Sequence, residues 1–146
     1  MVRRIAIFTI GVLMVVGGAT AFTRWQDARL ADCQSRATVL ETVPLLTAQP
    51  DGVQLDSLYS GCDVDRLVAY AGRHNRGEAD ERAIVSFYQQ LVKSEAWLVT
   101  PSTAGVARLC ASKDLDGGTA YMNLSFPASG TFDLHVAESA DSGAQC

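Results

Sequence analysis

Apolar and polar residues follow two different patterns along the chain. From Ile5 to Phe22, 18 successive positions are apolar or small, and Arg3 and Arg4 stand directly before them. A run of this length is close to the ~20 residues needed to cross the hydrocarbon core of a membrane. Arginines beside such a segment stay on the cytoplasmic side. The remainder of the chain is therefore expected outside the cytoplasm.

The fate of this N-terminal segment is open between two alternatives. Ala19-Thr20-Ala21 before Phe22 is an A-x-A-like site for signal peptidase, which predicts a secreted or periplasmic protein after cleavage near Ala21. Arg24 and Trp25 suit the interfacial belt of a retained anchor. That alternative predicts a single-pass protein of the cell membrane with a cytoplasmic N-terminus and residues 5–22 in contact with lipid. Residues 1–22 are thus predicted to be a transmembrane anchor or a signal peptide.

The next stretch, residues 23–59, is predicted to form a helical stalk and a linker. No glycine or proline occurs between residue 23 and Pro44, and good helix formers dominate. Pro44, Pro50 and Gly52 then interrupt the chain, as is typical of a loop.

An amphipathic helix is the most distinct element beyond the linker. Its apolar residues recur at the spacing of one helical face: Ile84, Phe87, Tyr88, Leu91 and Val92. Asp80 stands where an N-cap is expected, and the pattern predicts a helix to about Lys93.

Strand patterns surround this helix. A short β-compatible run at 64–71 precedes it, and segments 97–100, 106–113, 119–126 and 131–136 follow, the last two with clean alternation. Short glycine-containing turns between them predict an antiparallel meander. The predicted fold class is α+β: a two-layer sandwich of one amphipathic helix on an antiparallel sheet, in the order β-α-β-β-β, preceded by an N-terminal membrane helix. The extracytoplasmic domain is predicted at 60–137, and 138–146 as a tail.

Charge narrows the classes of partner. The formal net charge is −4, and it becomes −6 when Arg3 and Arg4 are left out. Because binding to a phosphate backbone needs clustered cations, nucleic acid is not expected as a partner. A basic protein is a more favourable partner for this acidic chain on electrostatic grounds.

The four cysteines are expected to form disulfides, as an even number does in exported chains. Three pairings exist. Cys62 with Cys110 is favoured because each begins or lies in a strand of the predicted sheet, and this leaves Cys33 for Cys146. No C-x-x-C pair is present, so neither a zinc site nor thiol redox chemistry is expected.

The helix and the segment after it resemble an arrangement found in small exported bacterial proteins of uncharacterised function. The residues that carry the resemblance are Phe87, Tyr88, Leu91, Trp97, Cys110, Lys113, Asp116 and Gly117, with Cys62 upstream. It covers about residues 60–137. The resemblance implies a disulfide-tied extracytoplasmic domain and no particular activity.

Candidate sites in the sequence are few. His74 is expected in a solvated turn, and His135 on a strand surface. Asp114 and Asp116 suit a hairpin turn better than a calcium loop. Tyr121 alternates with polar neighbours, so it is the aromatic residue expected to contact a partner.

No catalytic residue, metal ligand or cofactor site is therefore predicted. The leading hypothesis is a membrane-anchored extracytoplasmic accessory or interaction domain without catalytic activity, bound to a protein partner that belongs to a membrane complex. The alternative is a soluble exported binding or inhibitor protein for a basic secreted partner. An unrecognised hydrolase is less favoured; a deep pocket holding a histidine beside a carboxylate would point to it.

Overall fold

The protein is described from a computed structural model, which covers residues 24–101, 107–115 and 118–139. The chain divides into two units, Met1–Asp32 and Cys33–Cys146. The described residues of the first unit, 24–32, are helical. There the guanidinium carbon of Arg29 lies 4.6 Å from the ring centre of Trp25, a cation–π contact.

The second unit contains a six-stranded antiparallel sheet in the order β1-β2-β6-β5-β4-β3. Its strands are β1 (Val53–Asp63), β2 (Val68–Gly77), β3 (Leu98–Thr100), β4 (Ala107–Leu115), β5 (Gly118–Ala128) and β6 (Thr131–Ser139). Strand β6 lies between β2 and β5, so the last strand joins the β1–β2 hairpin to the antiparallel run β3-β4-β5-β6.

Helical segments cover one face of this sheet. Within the second unit, residues 33–41 are helical and are called α1; α2 (Pro44–Thr47) and α3 (Glu81–Ser94) follow. Within the second unit, Cys33 and Leu40 of α1, Leu45 of α2 and Tyr88 of α3 lie in one buried cluster with the apolar residues of the sheet. Helix and sheet thus bury a common apolar core, the dominant favourable term in folding.

The end of α3 has a well-defined stop. Ala96 takes a left-handed backbone conformation with φ 57°, and the amide of Trp97 donates to the carbonyl of Val92 at 2.9 Å. This six-to-one hydrogen bond is the Schellman arrangement, in which the left-handed position usually holds glycine. The turn places Trp97 in the core, where it is 5% exposed.

The predicted fold class was wrong. The predicted helix is present as α3, but the sheet has six strands and dominates the fold, and α1 and α2 also contribute to the core. Strand β1 lies in the segment predicted to be linker. It was missed because β1 is an edge strand with mostly exposed residues and a bulge between Leu55 and Ser57, so no alternation marks it.

The predicted first strand also begins and ends too early, since β2 runs from Val68 to Gly77. Its core-facing positions continue past Ala71 with Arg73 and Asn75, which are buried although polar. A strand predicted from hydrophobic residues alone therefore ends at Ala71, before these two polar positions. No helix in the described ranges is long and apolar enough to cross a membrane. The predicted membrane segment, residues 1–22, lies outside those ranges.

A disulfide joins Cys33 of α1 to Cys62 of β1, with 5.8 Å between the Cα atoms. The favoured pairing of Cys62 with Cys110 is therefore wrong, and so is Cys33 with Cys146. Strands β1 and β4 are four positions apart in the sheet, about 19 Å at the usual strand spacing. A disulfide needs Cα atoms within about 7 Å. Cys110 is buried in β4, and Cys146 lies outside the described residues.

Candidate functional site on the outer face of the sheet

The sheet face opposite the core carries a cluster of aromatic and titratable side chains, which we call the outer-face cluster. It consists of Tyr59 on β1, Tyr70 and His74 on β2, and Asp133 and His135 on β6. Both histidines of the chain belong to it. These residues come together because they alternate with core residues along neighbouring strands.

Glycines shape this cluster through two reciprocal cross-strand pairs. Tyr59 lies opposite Gly72, and Tyr70 lies opposite Gly61. Each tyrosine ring lies over the glycine of the other strand: a Cβ added at Gly72 would be 2.4 Å from the Tyr59 hydroxyl, and one at Gly61 would be 2.7 Å from that of Tyr70. Each ring thus lies over a glycine of the neighbouring strand, and the two ring planes are tilted by 48° to each other.

The missing side chain at Gly72 lets Tyr59 reach across β2. Gly72 is paired with His135 on β6, and the Tyr59 hydroxyl lies 3.3 Å from His135 Nδ1. The Tyr59 ring also lies 4.9 Å from the ring of His74 and 6.0 Å, stacked, from that of His135. One tyrosine thus connects three strands.

His74 and Asp133 form the second polar contact of the cluster. They are direct cross-strand partners, and His74 Nδ1 lies 2.7 Å from Asp133 Oδ1. The His74 side chain is 49% exposed, so the pair is open to solvent. His74 was expected in a turn; instead it lies within β2, where its ring is held between Asp133 and Tyr59.

Burial and neighbouring groups change the acidity of two members. Burial lowers the pKa of His135, because desolvation disfavours the charged imidazolium. Burial raises the pKa of Tyr59, and the negative charge of Asp133 and then the neighbouring Tyr70 raise it further. At neutral pH, His135 is therefore neutral and Tyr59 keeps its proton, so the two can share a hydrogen bond.

Tyr121, the residue predicted to contact a partner, lies on this same face. It is paired with Ala137 of β6, which is paired in turn with Tyr70 of β2. Tyr121 is only 8% exposed, whereas Tyr59 and Tyr70 are half-buried. The more accessible aromatic rings of the face are thus those that the sequence interpretation did not select.

A signal for the cluster was present in the sequence. Tyr59-Ser60-Gly61 and Tyr70-Ala71-Gly72 repeat a Tyr-x-Gly pattern. In two antiparallel strands this spacing sets each tyrosine opposite a glycine. Recognising it required β1 to be identified as a strand.

The geometry gives little support for hydrolytic chemistry. His74 does lie beside a carboxylate, but neither histidine lines the cavities beside β1 or near Gly130. Within the described residues, no group of three or more histidine, cysteine or acidic side chains is placed to hold a metal ion. Comparison of the chain with known protein families, with curated proteins and with solved structures found no match.

Proposed function

We propose that the protein is an extracytoplasmic accessory or interaction domain without catalytic activity, and that it binds a protein partner through the outer-face cluster. The N-terminal apolar segment brings it to that side of the membrane. It is then either held at the membrane or released by cleavage near Ala21. The observation that carries the proposal is the pair of half-buried tyrosine rings held over Gly61 and Gly72 on the sheet face opposite the core.

The chemistry of the face suits a protein partner. Tyrosine is enriched at protein interfaces because it offers a large rigid ring together with a hydroxyl. Rings already held over Gly61 and Gly72 lose little conformational freedom on binding, which lowers the entropic cost of association. His74 and Asp133 add hydrogen-bonding groups at the rim.

Other classes of ligand fit this face less well. Small-molecule sites are concave and enclose most of the ligand. Of the outer-face cluster, only Tyr59 lines one of the cavities described above, at the edge of the groove beside β1. Nucleic acid requires clustered cations, and the formal net charge of the chain is −4.

The test is affinity purification of the full chain from its native membranes and from the soluble fraction, read by mass spectrometry. Tyr70→Ala and His74→Ala should each reduce recovery of a stoichiometric partner. Gln90→Ala, an exposed position on α3, is the matched control and should leave recovery unchanged. Equal recovery by all variants, with unchanged melting temperatures, would reject the outer face as the binding surface.

A further inference from the structure

A second site lies at the β1 edge of the sheet, on the side of Leu58 and Arg73. Tyr59 and Gly72 of the outer face also line it. A half-open groove of about 400 Å³ runs beside β1, and we call it the β1 groove. Leu46 of α2 and Leu55 and Leu58 of β1 form its apolar part. Leu55 and Leu58 are 43% and 64% exposed, so the groove is open to ligands from solvent.

Arg73 lies at the base of this groove and is only 2% exposed. All the hydrogen-bond acceptors that hold its guanidinium are neutral. Nε donates to Asn75 Oδ1 at 2.6 Å. One terminal nitrogen, Nη1, donates to the backbone carbonyls of Leu46 at 3.0 Å and Ala48 at 2.8 Å.

The other terminal nitrogen is held less firmly. Arg73 Nη2 has a long contact of 3.4 Å to Gln49 Oε1. The amide nitrogen of Gln49 donates to the carbonyl of Val53, which turns its oxygen toward Arg73. Nη2 carries two N–H donors, so it has donor capacity beyond this single long bond.

The charge of Arg73 is unusual for so buried a group. Buried arginines are normally paired with carboxylates, because an uncompensated charge in a low-dielectric interior is costly. Across the ranges that the structure describes, the ion pairs involve other arginines and a histidine, and none involves Arg73. Glu41, the acidic residue that lines the groove, accepts a hydrogen bond from Ser60 instead.

We propose that the β1 groove binds a small aliphatic carboxylate. Its carboxylate accepts hydrogen bonds from Arg73 Nη2, and its hydrocarbon chain covers Leu46, Leu55 and Leu58. The positive charge of Arg73 favours a carboxylate over a neutral head group, since charge-assisted hydrogen bonds to arginine are among the strongest in proteins. The exposed leucines select the chain, since their burial removes apolar surface from water.

The probe is hexanoate, titrated into the full chain by calorimetry or followed by NMR, with 1-hexanol, hexylammonium and acetate as comparisons. Hexanoate should bind at least about tenfold more tightly than each of them. Equal binding of hexanoate and hexanol would overturn the proposal by showing an apolar groove without charge selection. Absence of hexanoate binding to the folded protein would overturn it as well.

Two variants locate the site without removing Arg73, which also holds α2. Gln49→Glu places an internal carboxylate beside Nη2 and should abolish hexanoate binding. Leu58→Glu should weaken binding by about tenfold or more. Leu98→Glu, an exposed leucine on the opposite edge strand, is its matched control. If Gln49→Glu or Leu58→Glu binds hexanoate as the unaltered chain does, the assignment is wrong.

Discussion

Tyr59 and Gly72 face each other across the β1–β2 ladder, and the tyrosine ring occupies the space that a side chain at position 72 would fill. The contact lets Tyr59 reach His135 on the next strand but one. A side chain at position 72 would therefore have to displace the Tyr59 ring, even though the backbone there needs no left-handed conformation.

Gly72→Ala should displace the Tyr59 ring from β2 and separate its hydroxyl from His135, which should lower the free energy of unfolding by about 1 kcal/mol, the usual net worth of one hydrogen bond. The reason is the 2.4 Å approach to the Tyr59 ring. Urea unfolding measures the loss. In a Tyr59→Ala background the same change should cost much less. Equal costs in both backgrounds would show that the ring does not occupy this space.

The disulfide gives a second expectation. Cys33→Ala together with Cys62→Ala should lower the free energy of unfolding by about 3–4 kcal/mol, because the bond closes a loop of 29 residues in the unfolded chain. Reduction of the unaltered chain should reproduce the effect. Peptide mapping under non-reducing conditions should find residue 33 linked to residue 62. Linkage of Cys62 to Cys110 would contradict the fold.

The end of α3 offers a stabilising substitution. Ala96 holds the left-handed position with φ 57°, which costs an L-residue about 1–2 kcal/mol and glycine very little. Ala96→Gly should therefore raise the free energy of unfolding by about 1 kcal/mol. Ala83→Gly, at an exposed position inside α3, is the matched control and should lower it. A loss of stability in Ala96→Gly would disprove the left-handed stop.

His135 should make stability depend on pH. Burial lowers its pKa in the folded state, so the unfolded chain binds the proton more readily, near its ordinary pKa of about 6.5. Its contribution to stability is fully present above that pKa and is lost as the pH falls through the folded pKa. His135→Gln should flatten the decline in unfolding free energy that sets in as the pH falls below about 6.5.

The control for this effect is His74→Gln, which should keep the contribution of His135. The groups that face His135 are the rings of Tyr59 and Tyr70, and Asp133 lies beside His74. A pH profile that is unchanged by His135→Gln would show that the imidazole is not held neutral by burial.

The parts of the fold that could be predicted from sequence are those with one buried face. Strands β5 and β6 alternate cleanly, with Met122 and Leu134 inward, and α3 places Ile84 and Tyr88 on one side. Strand β1 could not be predicted in this way. It is an edge strand in which even Leu55 and Leu58 are exposed, so its sequence does not alternate between apolar and polar residues. Arg73 concealed the second half of β2, since a buried charge looks like a surface residue in sequence.

The candidate site was harder to predict than the fold. His74 and His135 are 61 positions apart in the chain, and only the pairing of β2 with β6 brings them to one face. That pairing joins segments far apart in the chain and depends on the strand order, which local patterns do not determine. The sequence shows that two histidines are present, but it does not show which side chains lie next to each of them in the folded protein.

The most direct test of the account is site-specific photo-crosslinking in the native cell. A photoreactive phenylalanine analogue replaces Tyr70 on the outer face in one variant and Gln90 on α3 in another. The account predicts that position 70 crosslinks to one protein in good yield and that position 90 does not. No crosslink at position 70, or the same products from both positions, would contradict a partner surface on the outer face.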